Sequence, residues 1–89
     1  MNIHYTTKFK KDYKRIKKQN KDLSELRIVI EQLVQGQSLG PKYRDHQLGG
    51  NWKGHRDCHI EPDWILIYRL TPNNLFLERT GSHSDLFKK

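Results

Sequence analysis

Apolar positions recur along this chain with two different periods, and the period changes near Gly36. In the first part Phe9, Tyr13 and Ile16 stand at helical spacing, and Thr7 is placed to cap the start of the helix. After Asn20, Asp22 and Glu25 have the spacing of a capping box. Leu23, Leu26, Ile30 and Leu33 then share one face, widened by Val29 and Val34, and Gly36 is placed to end this second helix in a left-handed turn. Two helices joined this closely form a hairpin that needs a further surface on which to bury its apolar stripe.

The rest of the chain supplies that surface as strands. Residues 2–5 alternate weakly and read as a first strand. From Lys42 onward short runs are separated by the turn signals Gly49-Gly50-Asn51, Glu61-Pro62 and Pro72-Asn73-Asn74. The predicted strands are 42–47, 54–60, 64–71 and 75–80. Pro72-Asn73-Asn74 makes the last two antiparallel neighbours. Trp64-Ile-Leu-Ile-Tyr68 is apolar on both faces and belongs in the middle of the sheet. The expected fold is therefore α+β, one domain over 1–89. An N-terminal strand leads into a two-helix hairpin packed on one face of a twisted, mostly antiparallel sheet of about four to five strands, whose other face is free. Alternation within 54–60 turns Cys58 and Ile60 toward the helices and sets Asp57, His59 and Glu61 on the free face. The same rule puts Arg79 with Leu75 and Leu77 on the buried side, unless a bulge or strong twist intervenes before Gly81.

Charge narrows the class of partner. The 89 residues carry 17 Lys and Arg against 10 Asp and Glu, a net charge of +7, a field that attracts polyanions. Lys8, Lys10, Lys11, Lys14, Arg15, Lys17, Lys18 and Lys21 crowd one segment, opposed only by Asp12. A single cysteine, Cys58, excludes an internal disulfide. No N-terminal segment has the pattern of a signal peptide, and no run approaches the roughly 20 apolar residues of a membrane span. The expected location is cytoplasmic, with no membrane partner.

His46, His55, His59 and His83 lie in the C-terminal half together with Asp57, Asp63 and Arg79. No C-x-x-C pair occurs, and Cys58 and His59 point to opposite faces of one strand, so neither a zinc site nor another cofactor is expected. Ser82, His83 and Asp85 are adjacent in sequence, which is not triad geometry, and no Gly-rich phosphate loop is present. Metal-free phosphoryl transfer on RNA remains. It needs a base for the 2′-hydroxyl, an acid for the leaving 5′-oxygen and a cation for the charged phosphorane. Histidine suits the first two roles and arginine the third. Trp64 and Phe87 can stack on splayed bases. Each residue also has a plainer use: His46 in a turn, His59 as a hydrogen-bonded surface group, Trp64 in the core, Arg79 paired with Glu78 or Asp63, His4 and His55 structural.

The strings Lys42-Tyr-Arg-Asp-His46, Trp52-Lys-Gly54, Arg56-Asp-Cys-His-Ile-Glu-Pro-Asp-Trp64 and Arg79-Thr-Gly-Ser-His-Ser-Asp-Leu-Phe87 resemble the YafQ-type toxins, a branch of the RelE/ParE toxin–antitoxin superfamily. The likeness runs from about Lys42 to Phe87. It implies a microbial-ribonuclease-like fold and an endoribonuclease that cuts translated messenger RNA in the A site of the 70S ribosome. It also implies a cognate antitoxin, expected to bring an acidic, partly disordered segment, and contact with operator DNA only through the antitoxin complex. Carried over, His46, His59, Asp63, Arg79 and His83 form the catalytic set, with His83 as general acid, Arg79 as transition-state clamp, and His59 or Asp63 helping to activate the 2′-hydroxyl. Trp64, Phe87, Lys53 and Arg56 are assigned to substrate binding, and Lys88 and Lys89 to further phosphate contacts or a frayed tail. RelE itself relies on lysine, arginine and tyrosine, so its proton-transfer scheme does not transfer. Two other readings fit the basic composition: a non-catalytic ParE-like gyrase inhibitor, and a plain RNA-binding module working through its cationic helix.

Overall fold

The computed structural model describes residues 1–87; Lys88 and Lys89 lie outside the described residues. Strand β1 (Asn2–Tyr5) leads into helices α1 (Thr7–Lys18) and α2 (Leu23–Val34). Strands β2 (His46–Gln47), β3 (Arg56–Glu61), β4 (Trp64–Thr71) and β5 (Asn74–Gly81) follow, and a short helix α3 (His83–Leu86) closes the fold. The five strands form one sheet in the order β1-β5-β4-β3-β2, antiparallel except for the parallel β1–β5 pair. The α+β expectation is met, and β4 is the central strand as its apolar run requires.

Several local expectations are corrected. Thr6, not Thr7, caps α1, accepting from the Phe9 N–H at 3.0 Å. Asp22 caps α2 by accepting from the Ser24 N–H at 3.0 Å, but Glu25 does not complete a capping box. Its carboxylate turns to Glu61 on β3, and burial together with that like charge pushes its pKa up. Gly36 ends α2 as expected: at φ +73° it lets the Gln37 N–H reach Gln32 O (3.0 Å) and its own N–H reach Leu33 O (3.1 Å). Strand 42–47 shrinks to His46–Gln47, because Pro41–Tyr43 winds into a 3₁₀ turn that ends on Arg44 in the left-handed region.

The larger core lies between the helices and the sheet. Phe9, Ile16, Leu26, Val29 and Leu33 pack there on Cys58, Trp64, Leu66, Tyr68, Leu75 and Leu77. The opposite face is not wholly free. Ile65 and Ile67 are buried there under Leu86, with Leu48, Trp52 and Phe87 packed around them. Trp64 belongs to the helix-side core at 0% exposure and donates Nε1–H to Thr80 Oγ1 at 2.9 Å. It has no open ring face for a base, so its assignment to substrate binding is corrected to a core role.

The inward stripe of α1 is Phe9, Asp12 and Ile16, with Tyr13 left exposed. β1 ends at Tyr5 and pairs β5 only as far as Leu77, so the last residues of β5 lose their strand partner. Side chains of α1 take over that edge. Thr6 Oγ1 donates to Glu78 O, Asp12 accepts from the Thr80 N–H at 3.1 Å, and Arg15 Nη2 donates to Thr80 O at 3.2 Å. Strict alternation does not hold to the end of β5, and of the two ways out the structure has a bulge: Ile67 pairs with Arg79 while the next residue, Tyr68, pairs with Leu77. Glu78 is the extra residue, and Arg79 thereby leaves the face of Leu75 and Leu77. Its guanidinium wraps around the edge to Asp12, with Nε at 2.6 Å from Oδ2 and Nη2 at 3.1 Å from Oδ1.

A buried carboxylate with three donors cannot be removed without stranding them. Asp12→Ala is expected to lower the unfolding free energy by about 3 kcal/mol, a sizeable part of the roughly 5–15 kcal/mol typical of a domain. Urea denaturation checks this, and a loss below about 1 kcal/mol would show the carboxylate to be dispensable.

Candidate active site

β3 supplies the centre of the site because its alternation is kept from Arg56 to His59. Asp57 pairs with Ile67 and His59 with Ile65, which places both on the face away from the helices. The alternation then breaks. A register shift between His59 and Glu61 pairs Glu61 with Trp64 and turns it toward the helix side, so the expected grouping of Glu61 with Asp57 and His59 is corrected. β2 brings His46 opposite Asp57. α3 brings His83, whose ring lies edge-on to that of His59 with centroids 5.2 Å apart.

Each histidine meets a different partner. His83 Nδ1 lies 2.7 Å from Asp63 Oδ1, and the His83 backbone N–H donates to the same oxygen at 3.0 Å. A carboxylate oxygen only accepts, so Nδ1 carries the proton and Nε2 is left to the cleft. These two bonds, the backbone one first, hold the Asp63 pKa below the ordinary carboxylate range. Asp63 is thus engaged in orienting His83. His46 Nδ1 donates to Arg44 O at 2.8 Å, and its Nε2 stands 3.1 Å from Asp57 Oδ1. That approach is not aligned as a hydrogen bond, and Oδ1 of Asp57 is buried without a donor. Among the described residues His59 has no hydrogen-bonded side-chain partner; its neighbour is the His83 ring.

Asp57 is the residue the sequence reading named but did not place in the site. It is 3% exposed and sits within electrostatic reach of His46, His59 and His83. Burial pushes its pKa up, and the three imidazoles pull it back in part. An acid at the second residue of a strand whose fourth is histidine was the available signal, since both must share a face.

The remaining assigned residues divide. Phe87 is half-buried beside His83, ring centroids 6.4 Å apart, and has an edge on the cleft. Lys53 is exposed next to Trp52, which packs on the cleft-side cluster. Arg56 points to the helix side and is held by Asp45, Nη2 to Oδ2 at 2.9 Å; its assignment to substrate binding is corrected. Arg79 gives Nε and Nη2 to Asp12, leaving Nη1 as the donor that Asp12 does not use. His55 lies 3.5 Å from Glu78 and edge-on to Trp52, and His4 stacks on Phe76, so both are structural, as read. Among the described residues no three His, Cys, Asp or Glu side chains are gathered as an ion site. Cys58 is buried, which pushes its thiol pKa up and leaves it without a thiolate's reactivity.

The carboxylates set opposite pH trends. Asp22, Asp63 and Asp85 are held low by hydrogen bonds to the folded charged form, so their stabilisation is present above the ordinary carboxylate range and lost as pH falls through their depressed values. Asp57 is raised, so its cost is felt at neutral pH and relieved as pH falls through its raised value. Stability is therefore expected to peak on the mildly acidic side. Asp57→Asn should flatten the rise toward that peak and raise the neutral-pH Tm by about 4–8 °C, corresponding to roughly 1 kcal/mol. Thermal melts across pH test this; an unchanged or lower Tm at neutral pH would contradict it.

Known proteins match this chain over nearly its full length. The family model described as the bacterial toxin of type II toxin–antitoxin system, YafQ, matches residues 1–88. The mRNA interferase toxin YafQ of Escherichia coli K12 is 46% identical over 86 residues, 96% of this chain and 94% of that protein. The crystal structure of YafQ from E. coli BL21(DE3) is similar with a TM-score of 0.93 at 45% identity over 97% of each chain. The crystal structure of the E. coli DinJ–YafQ complex is similar with a TM-score of 0.91 at 46% identity, again over 97% of each chain. With the family model matching residues 1–88 and the fold matched over 97% of its length, this chain belongs to the YafQ family of bacterial type II toxin–antitoxin toxins.

Proposed function

We propose that this chain is an endoribonuclease that cuts translated messenger RNA in the ribosomal A site by acid–base transfer. The observation that carries this reading is the His83–Asp63 contact at 2.7 Å, which fixes the tautomer and leaves Nε2 of His83 facing the cleft beside His59. His59, with no carboxylate bonded to it, takes the proton from the 2′-hydroxyl. The 2′-oxygen attacks the adjacent phosphorus, the bond to the 5′-oxygen breaks, and His83, charged against Asp63, gives its Nε2 proton to that oxygen. The products are a 2′,3′-cyclic phosphate and a 5′-hydroxyl. His46 and the free Nη1 of Arg79 supply positive charge to the phosphorane. Phe87 stacks on a flanking base, and Lys53 with the cationic face of α1 holds the surrounding phosphates.

The identity to an mRNA interferase supports this over the two binding-only readings, as does the pairing of histidines with differently bonded carboxylates. Expression of the wild type, His83→Ala and Arg79→Ala, followed by primer extension on a translated message, tests it. Codon-phased cuts are expected from the wild type, with a loss of about 10²–10⁴ in rate for His83→Ala. Growth arrest undiminished in both variants would sink the nuclease reading in favour of a binder, for which inhibition of purified gyrase would survive both substitutions.

The antitoxin is assigned to the groove between α1 and α2. Tyr5, Phe9, Tyr13, Leu26 and Ile30 line a depression of about 490 Å³ there, rimmed by Lys10, Lys14 and Arg27 against the single acid Glu31. An acidic amphipathic segment, ordered on binding, complements an apolar floor with a basic rim. Operator DNA is contacted through that complex. The toxin–antitoxin Kd should weaken steeply between 50 mM and 500 mM salt; equal affinity at both would overturn the electrostatic account.

A further inference from the structure

β2 is only two residues long and lies at the edge of the sheet, yet it carries His46. Two ladder pairs, His46 with Asp57 and Gln47 with Arg56, are a slender support for a side chain that must hold its place in a reacting cleft. The residue before it provides another. Asp45 precedes His46 in an extended segment, so its side chain points to the opposite face of the sheet. There it accepts from Arg56 Nη2 at 2.9 Å and Nε at 3.3 Å, and also from the Tyr68 hydroxyl. Arg56 stands on β3 and Tyr68 on β4, so one carboxylate ties the edge segment to the two strands behind it.

We propose that Asp45, clamped by Arg56 and Tyr68, is the positioning residue that aims His46 at the scissile phosphate. The lever passes through the backbone. Arg44, at φ +49°, turns its carbonyl onto His46 Nδ1 at 2.8 Å. Holding a non-glycine residue in that region costs about 1 kcal/mol or more and needs the surrounding structure to enforce it. The 3₁₀ turn enforces it from one side, through the Arg44 N–H to Pro41 O at 3.1 Å, and the Asp45 clamp from the other. With Nδ1 committed, Nε2 is left in the cleft beside Asp57. The donors of the clamp hold their protons firmly. Hydrogen bonding to Asp45 raises Arg56, and burial with the same carboxylate raises Tyr68.

This inference rests on His46 belonging to the reaction, and the test separates the two. Asp45→Asn, Tyr68→Phe and His46→Ala are made singly, and the first two also in the His46→Ala background. Cleavage is measured as kcat and KM, with histidine ring ¹⁵N spectra alongside. Asp45→Asn should lower kcat about 10–100-fold and Tyr68→Phe about tenfold, with KM changed by less than about threefold. Neither should lower the rate further once His46 is alanine. In the spectra the Nδ1–H form of His46 should give way to mixed tautomers in Asp45→Asn while His83 keeps its signals, which a general loss of fold would not do. Wild-type kcat in Asp45→Asn and Tyr68→Phe, with His46→Ala impaired, would overturn the positioning role. So would losses that multiply in the double variants. Full activity in His46→Ala would remove His46 from the reaction and the proposal with it.

Discussion

The Asp12 carboxylate is the interaction on which the active half of the molecule depends. The apolar residues by which α1 meets the sheet are Phe9 and Ile16, packed into the helix-side core. Asp12 adds contact with the strand's edge at the point where β1 has ended. A strand edge without a partner leaves its N–H and C=O groups to solvent or to another chain. Here the Thr80 N–H goes to Asp12 and the Thr80 carbonyl to Arg15, so a helix completes a ladder that a strand began. The same carboxylate collects Arg79, which the bulge at Glu78 has just released from the buried face. One side chain thereby fixes the helix, the end of β5 and the direction in which the chain enters α3 and His83.

That entry is tightly built. Gly81 has no room for a side chain: a Cβ there would lie 2.8 Å from Arg15 Nη2 and 3.2 Å from Asp85 Oδ2. Arg15 is itself pinned by Asp12 and Thr80, so it cannot easily withdraw. Ser82 and Asp85 then satisfy each other's backbone donors in a capping box, which starts α3 at His83. His83 is held by backbone as well as ring, since Asp63 accepts from both. Its position is thus set by closed local hydrogen bonding, not by the small apolar cluster beneath it.

Periodicity made the helices, the central strand, the hairpin at Pro72 and even the need for a bulge or strong twist before Gly81 readable from the sequence. These are local or period-based features. What escaped were pairings that no local pattern encodes. Asp12 was noted only as the lone acid in a cationic segment, yet it pairs with groups 67 and 68 residues away. Arg56 and Trp64 sit among the motif residues that carry the family likeness, which says that they matter but not on which face. Arg56 braces Asp45 and Trp64 fills the core, so both act from behind the sheet. Glu61 was misplaced for a different reason: alternation holds only while the register does, and the shift after His59 reverses it.

The three histidines are supported by three different means, and this bears on how the site divides its labour. His59 stands on a six-residue strand paired with the central β4, so ladder hydrogen bonding alone fixes it and its ring is spared a carboxylate bond. His83 hangs from a four-residue helix and takes Asp63 on its ring. His46 rides a two-residue edge strand, tied to a backbone carbonyl in front and braced by Asp45 from behind. The two rings on the shorter elements are the two with hydrogen-bonded partners, so the groups that position them also commit their Nδ1 protons. Of the three, His59 is left with neither ring nitrogen committed, which fits the role of base proposed for it. The buried Asp57 lies within electrostatic reach of all three rings. Its orphaned oxygen is the stability cost of keeping three titratable rings around one cleft.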